Sequence, residues 1–269
     1  MSELVQIETL VLELLLIVSV VAIIVRRFRI PYTVALVVAG LALSFRSRLQ
    51  IELTSELILT LLLPPLVFEA AFHLNFQQLR RSLSTIALLA IPGVVLNMLI
   101  VGGILNVGPG IPLSIALVFG ALIAATDPVS VVAIFRRLGA PKQLEVLLEG
   151  ESLFNDGTAI VIFNLMITIA ITGNFSLIDS ILDFAVVSGG GLVTGLLLGM
   201  IFSQITRRID DPLIETTLTG VLAFGAYLVA EEIHVSGVLA VVAAGLVAGN
   251  VGPRGMSPST RVLVFNFWE

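Results

Sequence analysis

The sequence predicts an all-α polytopic membrane protein, and three observations support this fold class. Hydrophobic residues make up 57% of the 269 residues and charged residues 12%, against roughly 45–50% and about 25% in soluble domains. Apolar runs close to the roughly 20 residues that cross a bilayer recur along the whole chain. Basic residues lie between those runs and not inside them. These features argue against an enzyme, and the net charge of -5 gives no reason to expect a nucleic-acid partner.

Nine apolar runs, followed by the start of a tenth, are the predicted membrane helices. Short loops with proline, glycine or paired arginine separate them, so no linker divides the chain into soluble domains. The first run follows acidic residues where a secretory signal would carry lysine or arginine, and we interpret it as a retained helix. The nine runs are Leu4–Val25, Pro31–Phe45, Leu53–Phe72, Thr85–Val107, Leu113–Phe135, Leu144–Thr172, Ile178–Thr206, Leu213–Glu232 and Val235–Asn250.

The basic residues alternate between successive loops as a membrane topology requires. Cytoplasmic loops hold the excess of lysine and arginine. The odd-numbered loops contain 12 of the 14 basic residues, and the even-numbered loops contain only Arg46 and Arg48. The sequence therefore predicts an integral membrane protein of the plasma or inner membrane, in contact with the lipid bilayer and with its N-terminus outside.

A weak internal repeat relates two of the apolar runs. Ile30–Leu43 and Val235–Ala248 coincide at five of fourteen positions. In the predicted topology they cross the membrane in opposite directions, which is the inverted-repeat architecture of many secondary transporters. A first unit would cover residues 30 to about 172, and a full second unit would extend about a hundred residues past Glu269. We therefore expect the chain to be truncated.

Among the acidic residues of the apolar runs, four are candidates for a position near the bilayer centre: Glu69, Asp127, Glu151 and Asp156. A charged side chain near the bilayer centre raises the free energy of membrane insertion by roughly 2.5–3.5 kcal/mol, so each of these acids needs a structural or functional reason for its position. The runs contain no lysine or arginine to pair with them. These acids must be protonated, bind a metal cation, or meet a basic residue from outside this chain.

The fifth run predicts a broken helix at Thr126–Pro128. Pro128 lacks a backbone donor and pushes Asp127 away from helical dihedral angles. A break inside the membrane is tolerated where it lines a cavity or is buried in protein, and its freed carbonyl groups can bind ions. A simple proline kink is the alternative.

The sixth run places Ser152 and Asp156 four residues apart, on one helical face. Carboxylate, hydroxyl and carbonyl oxygens are the hard ligands that an alkali cation prefers. The proposed sodium site is Asp156, Ser152, Asp127 and Thr126. Asn155 points about 100° away on the helix, and its amide is placed to cap the broken fifth run. The alternative is that Asn155 and Asp156 merely end a helix.

Two further acids have open interpretations. Glu69 follows a pair of prolines, and it is either a supporting acid or waypoint for cations or a side chain that snorkels to the cytoplasmic surface. Glu151 needs a structural partner, such as an arginine from beyond Glu269. No cofactor is expected, since the chain lacks the cysteines of thiolate sites. The glycines at 189–191, 195 and 199 suit close helix packing and not nucleotide binding.

Two other functions stay open at this point. A cation channel could use the same acids as a selectivity element. An inactive fragment or membrane scaffold would also fit a truncated chain. A transporter of anions is disfavoured, because the runs present acids and no basic residue.

Three motifs resemble the monovalent cation:proton antiporter-1 family of sodium/proton exchangers. They are ATDPVSVVAIF (Ala125–Phe135), LEGESLFNDGTAIVIF (Leu148–Phe163) and LLPPLVFEAAF, which ends at Phe72. The resemblance implies an antiporter fold of thirteen helices, of which nine to ten are present here, and a homodimer. It implies scaffold and dimerisation helices 1–3 in residues 1–84, core ion-binding helices 4–6 in 85–172, and scaffold helices 7–9 with the start of helix 10 in 173–269.

The same resemblance implies a role for each site residue. Asp156 is the principal carrier acid; Asp127, Ser152 and Thr126 complete cation binding; Asn155 stabilises the unwound fifth helix. It also implies that Glu69 lies near the cytoplasmic ion path, that Glu151 pairs with an arginine outside this chain, and that the cycle is secondary active exchange of sodium for protons by alternating access. Asn155 stands where electrogenic relatives carry aspartate, which implies an electroneutral cycle. The choice between sodium, lithium and potassium stays open.

Overall fold

The computed structural model describes residues 3–28, 32–46, 54 and 57–268, and the described chain forms two compact units. The first unit, Met1–Leu53, contains two helices in contact, α1 (Glu3–Phe28) and α2 (Tyr32–Arg46). Ile30 and Pro31, at the start of the proposed repeat, lie outside the described residues. The inverted relation of that repeat to Val235–Ala248 stays a prediction.

The second unit, Thr54–Glu269, contains the remaining described helices. Five of them are long and apolar enough to cross a membrane, namely Phe76–Val107, Lys142–Thr172, Leu177–Thr206, Pro212–Glu232 and Gly237–Arg254. This confirms the all-α membrane fold. The helices are α3 (Ile58–His73), α4 (Phe76–Val107), α5 (Leu113–Leu122), α6 (Val129–Leu138), α7 (Lys142–Thr172), α8 (Leu177–Thr206), α9 (Pro212–Glu232), α10 (Gly237–Asn250) and α11 (Pro258–Phe267).

The predicted start of the fourth helix at Thr85 is wrong, because α4 begins at Phe76. Its first turns are amphipathic: Leu79 is 2% exposed, whereas Arg80 and Arg81 face outward. A search for continuous apolar sequence misses such a segment, since only one face of the helix is buried. The predicted boundary between residues 84 and 85 therefore falls within one helix, and the assignment of scaffold and core domains stays a prediction.

α10 lies at the centre of the second unit, and its residues from Gly237 to Ala248 are all buried. Glycines of α8 allow it to approach: a Cβ at Gly195 would fall on the carbonyl group of Ala240. Gly191 meets the carbonyl of Ser236 in the same way. The prediction of close helix packing is confirmed for Gly190, Gly191, Gly195 and Gly199, since small residues let helices come close together, and it is wrong for Gly189, where a Cβ would meet nothing within 4 Å.

The C-terminal end of α10 is fastened to the turn between α3 and α4. The Asn250 side chain accepts a hydrogen bond from Phe76 N at 2.9 Å and donates one to Leu74 O at 2.9 Å. α3 packs against α10 along its length, where Gly249 lies on the backbone of Phe72. This framework fixes α10 beside α7, which carries the polar residues of the candidate site.

Candidate functional site

The fifth apolar run is interrupted, as predicted, at the Thr126–Pro128 sequence. α5 ends at Leu122 and α6 begins at Val129, with six non-helical residues between them. The alternative of a simple proline kink is wrong. Pro128 directly precedes α6, a position where its missing N–H group costs no helical hydrogen bond, and Val132 N donates to its carbonyl group at 2.8 Å.

The sixth run is one continuous helix, α7, through Asn155 and Asp156. The alternative that these two residues end a helix is wrong. α7 ends only at Thr172, where Gly173 has a positive φ of 70° and supplies the left-handed C-terminal turn that glycine favours. The polar residues of the run therefore project from the middle of a helix of 31 residues.

Thr126, inside the break, is held against α7 by two side chains. The Ser152 hydroxyl donates to the Thr126 carbonyl oxygen at 2.8 Å. The Asn155 amide donates to the Thr126 hydroxyl oxygen at 2.9 Å. The break thus brings together three residues that the sequence grouped into one site, and it fixes the backbone next to Asp127 in place.

Glu151 completes this polar junction. Its Oε1 atom accepts a hydrogen bond from the Asn155 amide at 3.0 Å, and the Thr126 hydroxyl donates to the same atom at 3.5 Å. Asn155 is 3% exposed, and its two described hydrogen bonds both come from the amide nitrogen. A buried network of this kind is strong when its donors are satisfied, because the surrounding dielectric is low. The arginine expected beside Glu151 stays a prediction.

The Asp156 carboxyl group is half-buried beside this junction. It lies within electrostatic range of the carboxyl groups of Asp127 and Glu151. It forms no hydrogen bond or ion pair with the part of the chain that the structure describes. Ionised carboxyl groups near one another repel, and a bound proton or metal cation relieves such repulsion.

The structure places Glu69 elsewhere in the unit. It lies half-buried on α3 and lines a small cavity with Phe267 and Trp268. None of the described hydrogen bonds of Thr126, Ser152 or Asn155 reaches its side chain. Its role as a cation waypoint stays a prediction.

Sequence reasoning missed several acidic residues of the second unit. Glu215 of α9 is completely buried. It lies in the first turn of its helix, next to a charged loop, so its sequence context is that of an interfacial residue. Asp183 of α8 and Glu231 of α9 line one cavity together, although 48 positions separate them in sequence. No sequence signal links them, since only helix packing brings them together.

A family model described as "Sodium/hydrogen exchanger, transmembrane" matches residues 14–269 of the chain. The chain is 48% identical over 243 residues to the Na(+)/H(+) antiporter ApNhaP of Aphanothece halophytica, which covers 90% of this chain and 47% of that protein. It is 45% identical over 243 residues to the low-affinity Na(+)/H(+) antiporter NhaS1 of Synechocystis sp., covering 90% of this chain and 46% of that one. The chain spans about half the length of these two relatives.

The fold is similar to that of a solved antiporter structure. The sodium proton antiporter MjNhaP1 of Methanocaldococcus jannaschii superposes with a TM-score of 0.74 and 27% sequence identity. The match covers 100% of this chain and 66% of that chain. The described helices, including the interrupted one, therefore belong to an antiporter fold of which this chain is a part.

Proposed function

Because the chain belongs to the sodium/hydrogen exchanger family, a family of transporters, we propose that the protein exchanges a monovalent metal cation, in the first place sodium, for protons across a membrane. The names of the relatives at 45–48% identity support the pair of ions. The observation that carries the proposal is the junction at Thr126. It holds the broken helix, with Asp127, against α7 at the level of Asp156.

The junction offers the oxygen ligands that an alkali cation needs. Carboxylate oxygens come from Asp156 and Asp127, and neutral oxygens come from Ser152 and Thr126. A single site of this kind takes either a proton or a cation. In the transport cycle, Asp156 is protonated when the site faces one side of the membrane and cation-bound when the site faces the other side. Exchange follows from this competition without nucleotide hydrolysis and without a resident cofactor.

Features outside the cation ligands support the expected stoichiometry, orientation and assembly. Asn155 donates hydrogen bonds to Thr126 and Glu151, so it is a neutral structural residue, and this supports one proton per cation and an electroneutral cycle. The alternation of basic loops supports a plasma-membrane protein with its N-terminus outside. The family resemblance supports a homodimer with scaffold and core domains, the core rocking around a nearly fixed site.

The test is transport by Asp156→Asn in everted vesicles that contain the complete protein. We expect sodium-dependent proton release to be abolished, since asparagine neither releases a proton nor supplies a charge for the cation. Asp179→Asn is the matched control, because Asp179 lies exposed in the first turn of α8, and this variant should retain exchange. Exchange retained by Asp156→Asn, or a sodium flux indifferent to a pH gradient, would contradict the proposal.

A further inference from the structure

The beginnings of α4 and α7 enclose a cavity of about 370 Å3, which we call the α4–α7 cavity. The two helices are in contact beside it at Gly150, where a Cβ would lie 2.8 Å from side-chain atoms of Leu79 and of Ile86. Each helix lines the cavity with residues at the same spacing of one and four positions, which places them on one side of the helix. These residues are Arg81, Ser82 and Thr85 of α4, and Gln143, Leu144 and Leu147 of α7.

The α4–α7 cavity lies where both helices change from polar to apolar sequence. The apolar runs of the two helices start at Thr85 and at Leu144, and both of these residues line the cavity. At about 1.5 Å per residue, Arg81 lies about 6 Å before Thr85 along α4. The polar headgroup region of a bilayer extends roughly 5–8 Å beyond the hydrocarbon on each side. Arg81 is therefore at the level of the lipid phosphate groups.

The polar part of the lining suits an anion. Arg81 is exposed and supplies a guanidinium group, which binds phosphate oxygens through two parallel hydrogen bonds. The hydroxyl groups of Ser82 and Thr85 and the amide of Gln143 are further donors. No acidic residue is among the lining residues in the part of the chain that the structure describes.

The start of α7 adds to the positive potential of the cavity. α7 begins at Lys142, and its N-cap residue, Pro141, lines the cavity and makes no side-chain cap hydrogen bond. The first backbone N–H groups of a helix carry a partial positive charge. Glu145, the acid of the first turn, lines a different cavity. The helix start therefore assists Arg81 in holding an anion.

The other part of the lining is apolar and continues along the membrane-facing surface. Leu144 lines the cavity and is 42% exposed, and Leu147 lies half-buried one turn further along α7. On α4, Leu83 and Leu88 are also exposed. An acyl chain gains apolar contact here, whereas a free phosphate ion gains none. A cavity with a basic end and an apolar end fits an anionic amphiphile.

We propose that the α4–α7 cavity binds an anionic phospholipid of the cytoplasmic leaflet, with Arg81 on the phosphate group and an acyl chain against Leu144 and Leu147. The predicted topology places both helix beginnings on the cytoplasmic side, where anionic lipids attract basic residues. The bound lipid bridges α4 and α7, and so stabilises the helix that carries Asp156. Its binding does not depend on which ion the protein transports.

The test is lipid binding to the complete protein in detergent, measured by native mass spectrometry. Phosphatidylglycerol is compared with phosphatidylcholine, whose choline group cancels the phosphate charge. We expect Arg81→Gln to lower the affinity for phosphatidylglycerol about fivefold, as loss of one basic residue at an anionic membrane surface should. Arg80→Gln is the matched control: it removes the same charge from the adjacent exposed residue, which does not line the cavity, and should retain the affinity.

A second variant tests the cavity without a change of charge. Thr85→Phe fills the space between the helices and should also weaken binding of phosphatidylglycerol, because the larger side chain occupies the position of the lipid. Thermal unfolding without added lipid verifies that each variant is folded. A bound lipid should raise the melting temperature of the unmodified protein and of Arg80→Gln more than that of Arg81→Gln.

Three results would overturn the inference. Equal loss of affinity in Arg80→Gln and Arg81→Gln would mean a general attraction between the basic surface and anionic lipid. Equal affinity of the unmodified protein for the two lipids would mean that the charge is not recognised. Displacement of phosphatidylglycerol by inorganic phosphate would mean a site for the free anion. All three are distinct from failure of the proposed function, which is judged by exchange in Asp156→Asn.

Discussion

α7 and α10 lie side by side in the same unit, yet they differ in where their polar residues lie along the helix. α10 is apolar throughout its buried length, and its described polar contacts lie at its ends, at Ser236 and Asn250. α7, in contrast, carries polar residues in its middle, from Glu151 to Asp156. One helix is the packing centre of the unit, and the other holds the chemistry. The contrast shows that a rigid apolar helix supports a neighbour whose polar centre is costly to bury.

The largest effect on stability should come from the glycine contacts of α10. Gly195→Ala puts a Cβ onto the carbonyl group of Ala240, where backbone atoms have little room to move, and we expect it to lower the free energy of unfolding by about 3 kcal/mol. Gly189→Ala is the control on the same helix, because its Cβ meets nothing within 4 Å. Helix propensity should make that variant neutral or about 1 kcal/mol more stable. Thermal unfolding in detergent measures both, and equal melting temperatures would refute the packing role of α8.

The second largest effect, on both stability and exchange, should come from the polar residues in the middle of α7. Asn155→Ala removes the donor shared by Thr126 and Glu151, which we expect to cost about 1–3 kcal/mol because two part-buried hydrogen bonds are lost, one of them to a carboxyl group. The exchange rate of this variant should also fall, because Thr126 in the break is no longer held against α7 by the Asn155 amide. Asn174→Ala, in the exposed turn after α7, is the control and should behave as the unmodified protein. An Asn155→Ala protein with ordinary stability and exchange would show that the junction is dispensable.

Ser152→Ala tests the hydrogen bond to the Thr126 carbonyl group separately. We expect about 1 kcal/mol of lost interaction, which appears as a roughly fivefold higher KM for sodium with little change in folding. Thr172→Val is suitable for comparison, because its hydroxyl donates to Thr168 O and accepts from Asn174 N, far from the break. Sodium dependence of exchange is the measurement. An unchanged KM in Ser152→Ala would remove this hydroxyl from cation binding.

The smallest effect should come from Asp183 and Glu231, the two acids that line one cavity of the second unit. Glu231→Gln keeps the acceptor for Gly237 N, at 3.2 Å, but removes a charge from the cavity. We expect the KM for outside sodium to rise about twofold to threefold at low ionic strength, and the difference to shrink in high salt as screening increases. Glu232→Gln alters the adjacent acid, which does not line the cavity, and should leave the KM unchanged. The same salt dependence of the KM in the two variants would argue against electrostatic attraction of sodium by the acids of this cavity.

The interrupted helix shows how far local sequence reasoning reaches. Pro128 removes a backbone donor wherever it lies, so the break at Thr126–Pro128 follows from residues adjacent in the chain. Ser152 also contacts Thr126, because a carbonyl group freed inside a membrane needs a polar partner, and the role of the two residues as sodium ligands stays a prediction. The predicted start of α4 was nine residues too late. An amphipathic segment has no continuous apolar run, so it is identified only when the core that its apolar face contacts is known.

Composition, apolar length and backbone chemistry by themselves determined the membrane class, the succession of helices and the break at Pro128. These properties depend on each residue and its near neighbours. Only the tertiary structure decided that Leu239 covers Gly157, that Asp183 and Glu231 share a cavity, and that Glu215 is buried. Those pairings join separate helices, and the rotation and contact of helices depend on the packing of all their side chains together, which spacing along one chain does not specify.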